Sequence, residues 1–419
     1  MIRIGIVGCG RILAAHLRGY RLLREAGVDD FEIGALCARR AEDAWGYVDR
    51  NGKVPQRRAV SDIPGDPLGI GEEYLSDFQD VGSVKVYTDF RELISDGSVD
   101  AVNDYTTHGM HHVVGLEALR NGKHLMSQKP LGVTVRAARR MCDAAEEAGV
   151  TFGVCENLRN APEMRRVQWA FSEEEGVMGD FQMALLGNVG TWWAPDLVVA
   201  ETPWRHRLVE GGGISLDLGV HQFDMIRSVA GEVKSVTART AVVEPVRFIR
   251  HEDGSVRDEV VCDADDVFYA SFETVKGGTG TLFGSWAGHG TNTEVGEGPV
   301  FYGSNGRVSG GKVHRDGGGE ESLEGLYEAG ASEARKARDR PKGLTDDFAL
   351  AQHDWLEAIR RGGQPETSGR EGLIDLACAY AIVESAKAGR TVEVEEVMSG
   401  ELRAYQEEID ARYEIDETG

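Results

Sequence analysis

Ile2-Arg3-Ile4-Gly5-Ile6-Val7-Gly8-Cys9-Gly10-Arg11-Ile12-Leu13 starts as an apolar run and ends in a turn with two glycines. The apolar run predicts a buried strand, and a helical pattern follows the turn to about residue 26. Two glycines so spaced permit a tight turn and the close approach of a pyrophosphate, while the helix N-terminus supplies amide donors and the positive end of a dipole. The stretch therefore predicts the first strand, turn and helix of a dinucleotide-binding domain of the Rossmann type.

We expect the cofactor to lie against this turn, at Gly8, Gly10, Arg11 and Ile12. The third position of the dinucleotide fingerprint is usually Gly or Ala, because it sets how closely the helix packs on the strand, and here it is Leu13. The alternative is a tight turn that binds no nucleotide. The place of the motif, directly after the first strand and at the start of a helix, favours the nucleotide site.

The segment Phe31–Cys37 predicts the second strand, and Ala38, Arg39 and Arg40 follow it. A carboxylate at this point would bind the ribose 2′-hydroxyl of NAD and repel a 2′-phosphate. Its absence, together with a nearby guanidinium, favours NADP over NAD, with Ala38 and Arg39 as cofactor contacts. The alternative is that both arginines are solvated at the start of a helix.

The middle of this domain contains an irregular segment and a histidine-rich loop. Residues from about 51 to 82 are rich in Gly, Pro and Asp and predict an insertion before the next strand. The strand predicted at 100–105 runs into Thr106-Thr107-His108-Gly109-Met110-His111-His112. Three histidines suggest a metal, but no matching cluster of carboxylate or cysteine ligands stands nearby in the sequence. The pattern favours a loop facing the cofactor, with contacts from Thr106, His108 and His111.

A lysine ends the fifth predicted strand. Gln128 and Lys129 stand at the strand exit, before a proline that restricts the turn. A lysine at the carboxyl end of a parallel strand in a nucleotide fold is a candidate site residue, and the alternative is a solvated loop lysine. We expect both Gln128 and Lys129 to contact the cofactor. A helix and a sixth strand complete the NAD(P)-binding domain, which we place at residues 1–155.

The second half contains Gly211-Gly212-Gly213-Ile214-Ser215-Leu216-Asp217-Leu218-Gly219-Val220-His221-Gln222-Phe223-Asp224, three glycines followed by an amphipathic segment. Asp217, His221 and Asp224 are spaced i, i+4 and i+7, which puts all three on one helix face. Such a face is unusual for a core helix because unpaired buried charge is unfavourable. The alternative is a polar surface stripe. The glycines favour a site, since they permit a tight turn or the close approach of a ligand.

Aromatic and basic side chains precede the three glycines, namely Trp192, Trp193, Trp204, Arg205 and His206. Aromatic faces stack on sugar rings, and Arg and His bind hydroxyl groups. Trp204 and Arg205 are closest to the glycines in sequence and are predicted to contact substrate. At least one of the tryptophans is expected to pack in the core.

Residues 156–419 predict an α+β domain for substrate binding and oligomerisation. Strands without intervening helices follow one another between residues 234 and 303, which indicates an open, mostly antiparallel sheet. One face of such a sheet needs a cover of helices or a second subunit. Residues 310–319 are glycine-rich and predict a flexible loop. Helices are expected at 346–361 and 371–387, where they can pack back on the first domain.

The composition limits the partners of the protein. The chain of 419 residues carries 46 basic and 70 acidic side chains, and its net charge of −24 disfavours nucleic acid and anionic membranes. No apolar run reaches the roughly 18 residues of a membrane-spanning helix. The chain enters a strand pattern without a basic and apolar leader, and its six cysteines include no C-x-x-C pair. We therefore expect a cytoplasmic protein with reduced thiols.

Taken together, these stretches resemble the glucose–fructose oxidoreductase, inositol dehydrogenase and MocA-like (GFO/IDH/MocA) family. The resemblance spans most of the chain. It rests on Gly8-Cys9-Gly10-Arg11-Ile12, on Asp100-Ala101-Val102 with Thr106 and His111, on Gly122-Lys123-His124 with Lys129-Pro130, on Glu156-Asn157-Leu158-Arg159 with Pro162, and on Gly211-Gly212-Gly213 with Asp217, His221 and Asp224. It implies a Rossmann domain followed by an open-sheet domain through which subunits pair as a homodimer or homotetramer.

The resemblance also implies site residues. The motif lysine corresponds to Lys129 and the acid/base pair to Asp217 and His221, while Asn157 and Arg159 are expected to contact substrate. The family commonly has Glu before the lysine, whereas this chain has Gln128. Losing that carboxylate removes a charge that favours a protonated lysine. No metal is expected.

The sequence thus predicts an NAD(P)-dependent dehydrogenase or reductase acting on a sugar, glycoside or cyclitol. His221 is the expected proton acceptor, and Lys129 the donor to the reacting oxygen. Asp217 either holds and polarises that imidazole or binds a neighbouring hydroxyl, and Asp217 and His221 are both expected to contact substrate. Two alternatives remain open. One is redox-neutral cleavage of a glycoside through a transient keto-sugar with a recycled cofactor, and the other is a regulator that senses NAD(P) without catalysis.

Overall fold

The computed structural model describes residues 1–63, 65–190, 195–291, 293–294 and 298–415. Trp192 and Trp193, two of the aromatic residues singled out above, lie outside the described residues. The structure divides into two compact units. Of the described residues, the first contains Met1–Asn157 and Arg340–Leu373, and the second contains Leu158–Asp339 and residues 374–415.

The described helices and strands alternate regularly only in the first third of the chain. The helices are α1 (Leu13–Glu25), α2 (Ala41–Trp45), α3 (Phe90–Ser95), α4 (His111–Arg120), α5 (Val135–Ala148), α6 (Asn157–Asn160), α7 (Pro162–Ala170), α8 (Ile214–Asp217), α9 (Gly219–Ala230), α10 (Leu323–Gly330), α11 (Glu333–Asp339), α12 (Asp347–Arg361), α13 (Gly369–Ala388), α14 (Val394–Ser399) and α15 (Glu407–Arg412). The strands are β1 (Ile2–Val7), β2 (Phe31–Cys37), β3 (Lys85–Tyr87), β4 (Ala101–Asp104), β5 (His124–Gln128), β6 (Phe152–Cys155), β7 (Phe181–Val189), β8 (Val233–Ala241), β9 (Val246–Arg250), β10 (Val256–Val261), β11 (Val267–Thr274), β12 (Thr279–Ser285), β13 (Thr293–Glu294), β14 (Val300–Gly303), β15 (Gly306–Ser309), β16 (Lys312–His314), β17 (Glu320–Ser322) and β18 (Val392–Glu393).

The sheet of the first unit has the order β3-β2-β1-β4-β5-β6, and each neighbouring pair is parallel. β1 is apolar and buried from Ile4 onward, as expected for a parallel strand that is covered on both faces. The strand order reverses at β1, between β2 and β4. Ligands of such sheets bind at this switch point, beyond the carboxyl ends of the strands. The predicted Rossmann arrangement is confirmed.

Helix α12 packs within the first unit, although it lies more than 180 residues beyond β6 in the chain. Its first turn is capped by Asp346, which accepts a hydrogen bond from Ala349 N over 2.9 Å. Phe348 and Trp355 are buried, and Trp355 Nε1 donates to the Leu125 carbonyl of β5 over 3.0 Å. The apolar face of α12 therefore covers part of the parallel sheet.

The segment between α2 and β3 is irregular, apart from two single 3₁₀ turns. Leu75 N donates to the Tyr47 carbonyl over 2.9 Å, which ties the segment to the chain just after α2. Ile70 packs against the buried cluster of Ala15 and Phe348. The insertion thus lies along the first turns of α1 rather than extending away from the fold.

The main sheet of the second unit runs in the order β17-β16-β15-β14-β7-β12-β11-β8-β18, with β13 also on β7. β7 and β12 are parallel and the other pairs are antiparallel. Residues of β11 alternate between buried and exposed, so one face of the sheet lies on a core and the other faces outward. The expected open, mostly antiparallel sheet is confirmed.

One local expectation for this unit is wrong. Residues 310–319 were predicted as a flexible loop, but they contain β16, which pairs antiparallel with β15. Gly310 and Gly311 have φ of +54° and +70°, and Gly317 and Gly318 have φ of +82° and +91°. The glycines therefore form the turns on either side of a short strand.

In the described part of the chain, no helix is long and apolar enough to cross a membrane. The six cysteines are reduced and buried. Burial raises the pKa of the Cys37 thiol to about 12, so this thiol stays protonated and unreactive.

Candidate active site

Gly8 closes the turn after β1 through a contact that only glycine permits. Its φ is +101°, and a Cβ at this position would lie 2.5 Å from the Tyr105 carbonyl carbon and 2.7 Å from Thr106 N. Its amide donates to the Cys37 carbonyl over 2.9 Å. The turn therefore lies against the chain that leaves β4, directly beside Thr106, a predicted cofactor contact.

Gly10 and the start of α1 provide room for an anion. A Cβ at Gly10 would meet none of the described atoms within 4 Å. Ile12 is the N-cap residue of α1, and among the described residues no side chain forms a capping hydrogen bond there. The first turn of α1 contains no acidic residue. Such an N-terminus offers amide donors and a positive dipole end, so it fits the pyrophosphate of a dinucleotide. Leu13 is fully buried in the core of the unit, where its extra volume is accommodated, and Arg11 is half-buried.

The residues after β2 are accessible. Ala38 is half-buried, Arg39 and Arg40 are exposed, and positions 38–40 hold no carboxylate. The nearest acidic side chains follow in the first turn of α2, where Asp43 accepts two hydrogen bonds from Arg40. Arg39 is therefore exposed at the end of β2, where a ligand can reach it.

A buried carboxylate organises the loop after β4. Asp104 Oδ2 lies 2.8 Å from His111 Nδ1, and Asp104 Oδ1 accepts hydrogen bonds from Thr106 N and Oγ1 over 3.0 and 2.6 Å. Since an unpaired buried carboxylate is strongly unfavourable, these contacts fix the loop. Asp104 was missed at the sequence level. The signal that points to it is a single acidic residue at the end of an apolar strand.

The other loop histidines also have roles within the protein. His108 is buried with Nε2 2.7 Å from the Gly132 carbonyl. Burial lowers the pKa of His112 to about 4, so this ring is neutral at physiological pH. Across the described residues, no group of three or more His, Cys, Asp or Glu side chains is placed to hold a metal ion.

Lys129 follows β5 and is held through its neighbour. Gln128 Oε1 accepts a hydrogen bond from Lys129 N over 3.2 Å, and Gln128 Nε2 lies 2.6 Å from His16 Nε2. His16 is fully buried and stacks on Tyr105 with ring centroids 3.6 Å apart. Burial lowers the pKa of His16 to about 3, so the neutral ring accepts from the Gln128 amide. His16, which the sequence did not single out, thus positions the segment that carries Lys129.

Asn157 lies at the end of the first unit. Its side-chain amide donates to Asp347 at the start of α12. Burial is the main cause that raises the pKa of the Asp347 carboxyl. Asn157 therefore has a structural partner, and its predicted contact with substrate remains a prediction.

In the second unit, Asp217 forms an ion pair with Arg205, with Oδ2 3.1 Å from Nε. The Arg205 guanidinium lies 4.5 Å from the centroid of the Trp204 ring and also donates to Thr202 Oγ1 over 2.5 Å. His206 differs from these residues because it is buried and accepts a hydrogen bond from Val199 N. Trp204, Arg205 and Asp217 are thus adjacent in the structure. Trp204 and Arg205 are also close in sequence to the three glycines that precede Asp217.

The three glycines form a tightly packed turn. A Cβ at Gly212 would lie 2.6 Å from the carbonyl oxygens of both Trp204 and Arg205. Gly213 has φ of +114°, and a Cβ there would overlap Asp265 Oδ1. Glycine is therefore required at 212 and 213 by close packing and backbone conformation.

Two acidic residues of one loop hold both ends of this turn. Asp265 Oδ2 accepts hydrogen bonds from Ser215 N and Oγ over 3.1 and 2.6 Å, and Asp263 Oδ1 accepts from Leu208 N over 2.6 Å. Burial raises the pKa of Asp265 to about 6. These residues were missed because they lie some 50 residues beyond the turn, and the sequence gives no local signal for the pairing.

The helix that carries Asp217 and His221 runs in two parts. α8 ends at Asp217 and α9 begins at Gly219, while Leu218 keeps φ of −95° and ψ of −38°. The predicted continuous helix is thus divided, although the backbone between its parts stays near helical values. His221 is half-buried in the first turn of α9.

Asp224 and Arg159 form a buried ion pair, with side chains that are 0% and 6% exposed. Asp224 therefore supports the structure of the second unit. The contact also occupies Arg159, whose predicted role in substrate binding remains a prediction. Of the predicted catalytic and substrate residues, Lys129 and Asn157 belong to the first unit, and Arg159, Trp204, Arg205, Asp217 and His221 belong to the second.

Two family models match the chain. Residues 68–156 match a model described as "Oxidoreductase family, NAD-binding Rossmann fold", and residues 174–394 match one described as "Oxidoreductase family, C-terminal alpha/beta domain". Both models describe GFO/IDH/MocA proteins, and the second alone covers more than half of the chain. The fold and the matches define an NAD(P)-dependent oxidoreductase. The chain belongs to the GFO/IDH/MocA family.

Several relatives share most of the chain. It is 29% identical over 320 residues to 1,5-anhydro-D-fructose reductase of Ensifer adhaerens, which covers 75% of this chain and 85% of that protein. Identity is 28% over 402 residues with D-apiose dehydrogenase of Paraburkholderia graminis, covering 93% and 88%. It is 26% over 404 residues with myo-inositol 2-dehydrogenase of Thermotoga maritima, covering 95% and 100%.

Solved structures share the fold. Levoglucosan dehydrogenase in complex with NADH and L-sorbose has a TM-score of 0.71 at 20% identity, over 94% of this chain and 98% of that one. An oxidoreductase domain protein from Kribbella flavida has a TM-score of 0.72 at 20% identity, over 94% and 99%. These likenesses extend along nearly the full length of both chains.

Proposed function

We propose that the protein transfers a hydride between a nicotinamide and a carbinol or carbonyl carbon of a sugar, glycoside or cyclitol. The observation that carries the proposal is the cluster of Asp217, Arg205 and Trp204 beside the start of α9, which bears His221. A carboxylate, a guanidinium and an aromatic face suit a ring with several hydroxyl groups.

Three side chains of this protein are assigned to transfer of the hydroxyl proton and to stabilisation of charge on the reacting oxygen. His221 accepts the hydroxyl proton during oxidation, because histidine is the side chain that most often serves as a general base. Asp217, held by Arg205, orients that imidazole or binds a neighbouring hydroxyl. Lys129 donates to the reacting oxygen and stabilises its developing negative charge. The nicotinamide, when bound, supplies or accepts the hydride.

The substrate class is supported by the relatives and by the second unit. The similar proteins are named for 1,5-anhydro-D-fructose, D-apiose and myo-inositol, which all carry several hydroxyl groups. Trp204 and Arg205 are the first candidates for substrate contact because neither is fully buried. Asn157 and Arg159 are second candidates, since each already contacts a carboxylate.

The proposed cofactor is NADP rather than NAD. The support is the absence of a carboxylate at 38–40 and the exposed guanidinium of Arg39, which suit a 2′-phosphate. The levoglucosan dehydrogenase complex contains NADH. The preference for NADP is therefore proposed from the residues of this chain alone.

The alternatives are a redox-neutral glycoside cleavage and a regulator without catalysis. The relatives are named as dehydrogenases and a reductase, and these names favour neither alternative. A panel of sugars, glycosides and cyclitols with NADP and NAD separates the three. Net formation of reduced nicotinamide supports the proposal, aglycone release without it supports cleavage, and cofactor binding without turnover supports the regulator.

We also propose that the protein is a cytoplasmic homodimer or homotetramer that pairs through the open face of the second sheet. On that face, Tyr269 is 53% exposed and its ring stacks on Phe283 at 5.7 Å. Covering such aromatic surface is favourable, and a second copy provides a self-complementary cover. The reduced, buried thiols suit the cytoplasm.

A further inference from the structure

The irregular segment between α2 and β3 contributes a cation at the end of β2. Arg57 belongs to this segment, and its Nη2 lies 2.8 Å from Asp43 Oδ2. Asp43 also accepts hydrogen bonds from Arg40 Nε and Nη2 over 3.1 and 2.6 Å. The Asp43 carboxylate in the first turn of α2 therefore holds two guanidinium groups. Arg40 precedes it in the sequence and Arg57 follows it.

This cluster lies beside the glycine turn. Tyr47 Oη donates to the Gly10 carbonyl over 2.8 Å, and Tyr47 is only two residues beyond the end of α2. Burial raises the pKa of the Tyr47 phenol, whereas the positive charges of Arg57 and Arg11 act against that rise. Arg57 is thus close to the turn that is expected to meet the pyrophosphate, although it lies 47 residues beyond Gly10.

The charges in this cluster do not cancel. Arg40 and Arg57 share the Asp43 carboxylate, and the exposed Arg39 stands one residue before Arg40. Glu42 is the other acidic residue in the first turn of α2, so three guanidinium groups face two carboxylates. The side chains of Arg40 and Arg57 are 66% and 44% exposed, so both are accessible to a ligand. Asp43 contacts Nε and Nη2 of Arg40 and Nη2 of Arg57, whereas each guanidinium has five N–H donors. Asp43 therefore orients two cations and leaves a net positive patch.

We propose that Arg57, together with Arg39 and Arg40, binds the 2′-phosphate of NADP, so that the insertion takes part in cofactor selection. This inference rests on the proposed function and adds to its cofactor site a specificity-determining residue from the insertion. A phosphate monoester carries close to two negative charges at neutral pH, and guanidinium groups match its oxygens in bidentate geometry. NAD has a hydroxyl at this position and gains nothing from the three cations.

The test is isothermal titration of the full-length protein with NADPH and with NADH, so that no substrate is needed. Arg57→Ala is expected to weaken NADPH binding by about 10- to 100-fold, the effect of one charged hydrogen bond, and to change NADH binding by less than about twofold. The matched control is Arg50→Ala. Arg50 lies in the same region and forms a bidentate contact with Asp77, and its removal should change neither affinity.

A second variant guards against a loss of local structure. Arg57→Gln keeps the length and polarity of the side chain and should also reduce NADPH affinity selectively. The inference is overturned if either variant leaves NADPH binding within about twofold of wild type, or if both variants weaken NADPH and NADH equally. It is also overturned if the wild type binds NADH as tightly as NADPH, an outcome that leaves hydride transfer intact. Binding of neither dinucleotide would instead contradict the proposed function.

Discussion

Arg205 Nε lies 3.1 Å from Asp217 Oδ2, and both side chains are 19% exposed. The pair is therefore neither buried in the core nor free in solvent. Trp204 supports the guanidinium on one side, and the packed glycine turn fixes the backbone between the two residues. This geometry holds a carboxylate at the surface of the second unit in one defined position.

Arg205→Ala should therefore impair catalysis more than stability. Without the guanidinium, Asp217 loses its charged partner and the substrate loses a donor, so kcat/KM should fall by about 100-fold or more. Steady-state kinetics on the best substrate of the panel measure the effect, and Arg205→Lys should recover part of it. Arg207→Ala is the matched control, because Arg207 pairs with Glu210 in the same loop. Equal losses in both variants would rule out the assigned role.

Asp265→Asn should change how stability depends on pH. Burial raises the pKa of Asp265 to about 6, above its ordinary 3.8, so the folded state holds the proton more tightly than the unfolded chain. The protonated Asp265 carboxyl therefore contributes stability in full below about pH 4, and this contribution is lost as the pH rises through about 6 and the carboxyl ionises. Removing the charge should stabilise the protein by up to about 3 kcal/mol at about pH 8 and change it little at about pH 4.

Denaturant unfolding at both pH values measures this effect of the Asp265 charge. Asp263→Asn is the control, since Asp263 is an exposed residue of the same loop and should show no such gain at high pH. Asp265→Asn should also keep the acceptor for Ser215. A variant that is less stable than wild type at about pH 8 would contradict the account of Asp265.

The Arg159–Asp224 pair should behave as a buried ion pair. Arg159→Met or Asp224→Asn alone leaves an uncompensated charge and should lower the free energy of unfolding by about 3–5 kcal/mol. The double variant should lose clearly less than the sum of the two. Asp217→Asn, at a partly exposed pair, should cost less than about 1 kcal/mol. Additive losses at 159 and 224 would show that the two side chains do not depend on each other.

Tyr269→Asp should reduce the oligomer to a monomer. A carboxylate on the open sheet face would be buried without a partner when two copies meet. Light scattering should give two or four times the mass of the chain for the wild type and a single chain for the variant. Val261→Asp is the control, because Val261 is also exposed but lies on the separate β9–β10 hairpin. A monomeric wild type would exclude the proposed interface.

Local sequence patterns predict much of this fold, and their limits are physical. The strand, glycine turn and helix around Gly8 could be predicted because their signals lie within a few residues of one another. The choice of His111 rather than His108 as the partner of Asp104 could not, because it depends on how the loop folds. Arg57 and Asp43 meet only after the insertion folds along α1. Pairings set by tertiary packing leave no periodic trace in the sequence.

The same limit applies to the candidate site. Asp217 and His221 stood out by their helical spacing, and the structure keeps them one turn apart even though the helix divides at Leu218. Asp263 and Asp265 hold the glycine turn that precedes Asp217, and both come from a loop about 50 residues later. Sequence reasoning therefore finds chemically active side chains more readily than the side chains that position them.

The most direct test of the proposed chemistry compares wild type with His221→Ala in hydride transfer. Initial rates of NADP reduction on the best polyol of the panel would be followed by the absorbance of the reduced nicotinamide across a range of pH. We predict that the variant is slower than wild type by about 100-fold or more at every pH tested. NADPH binding should be unchanged in the variant. Equal rates for wild type and variant at every pH would contradict the assignment of His221 as proton acceptor.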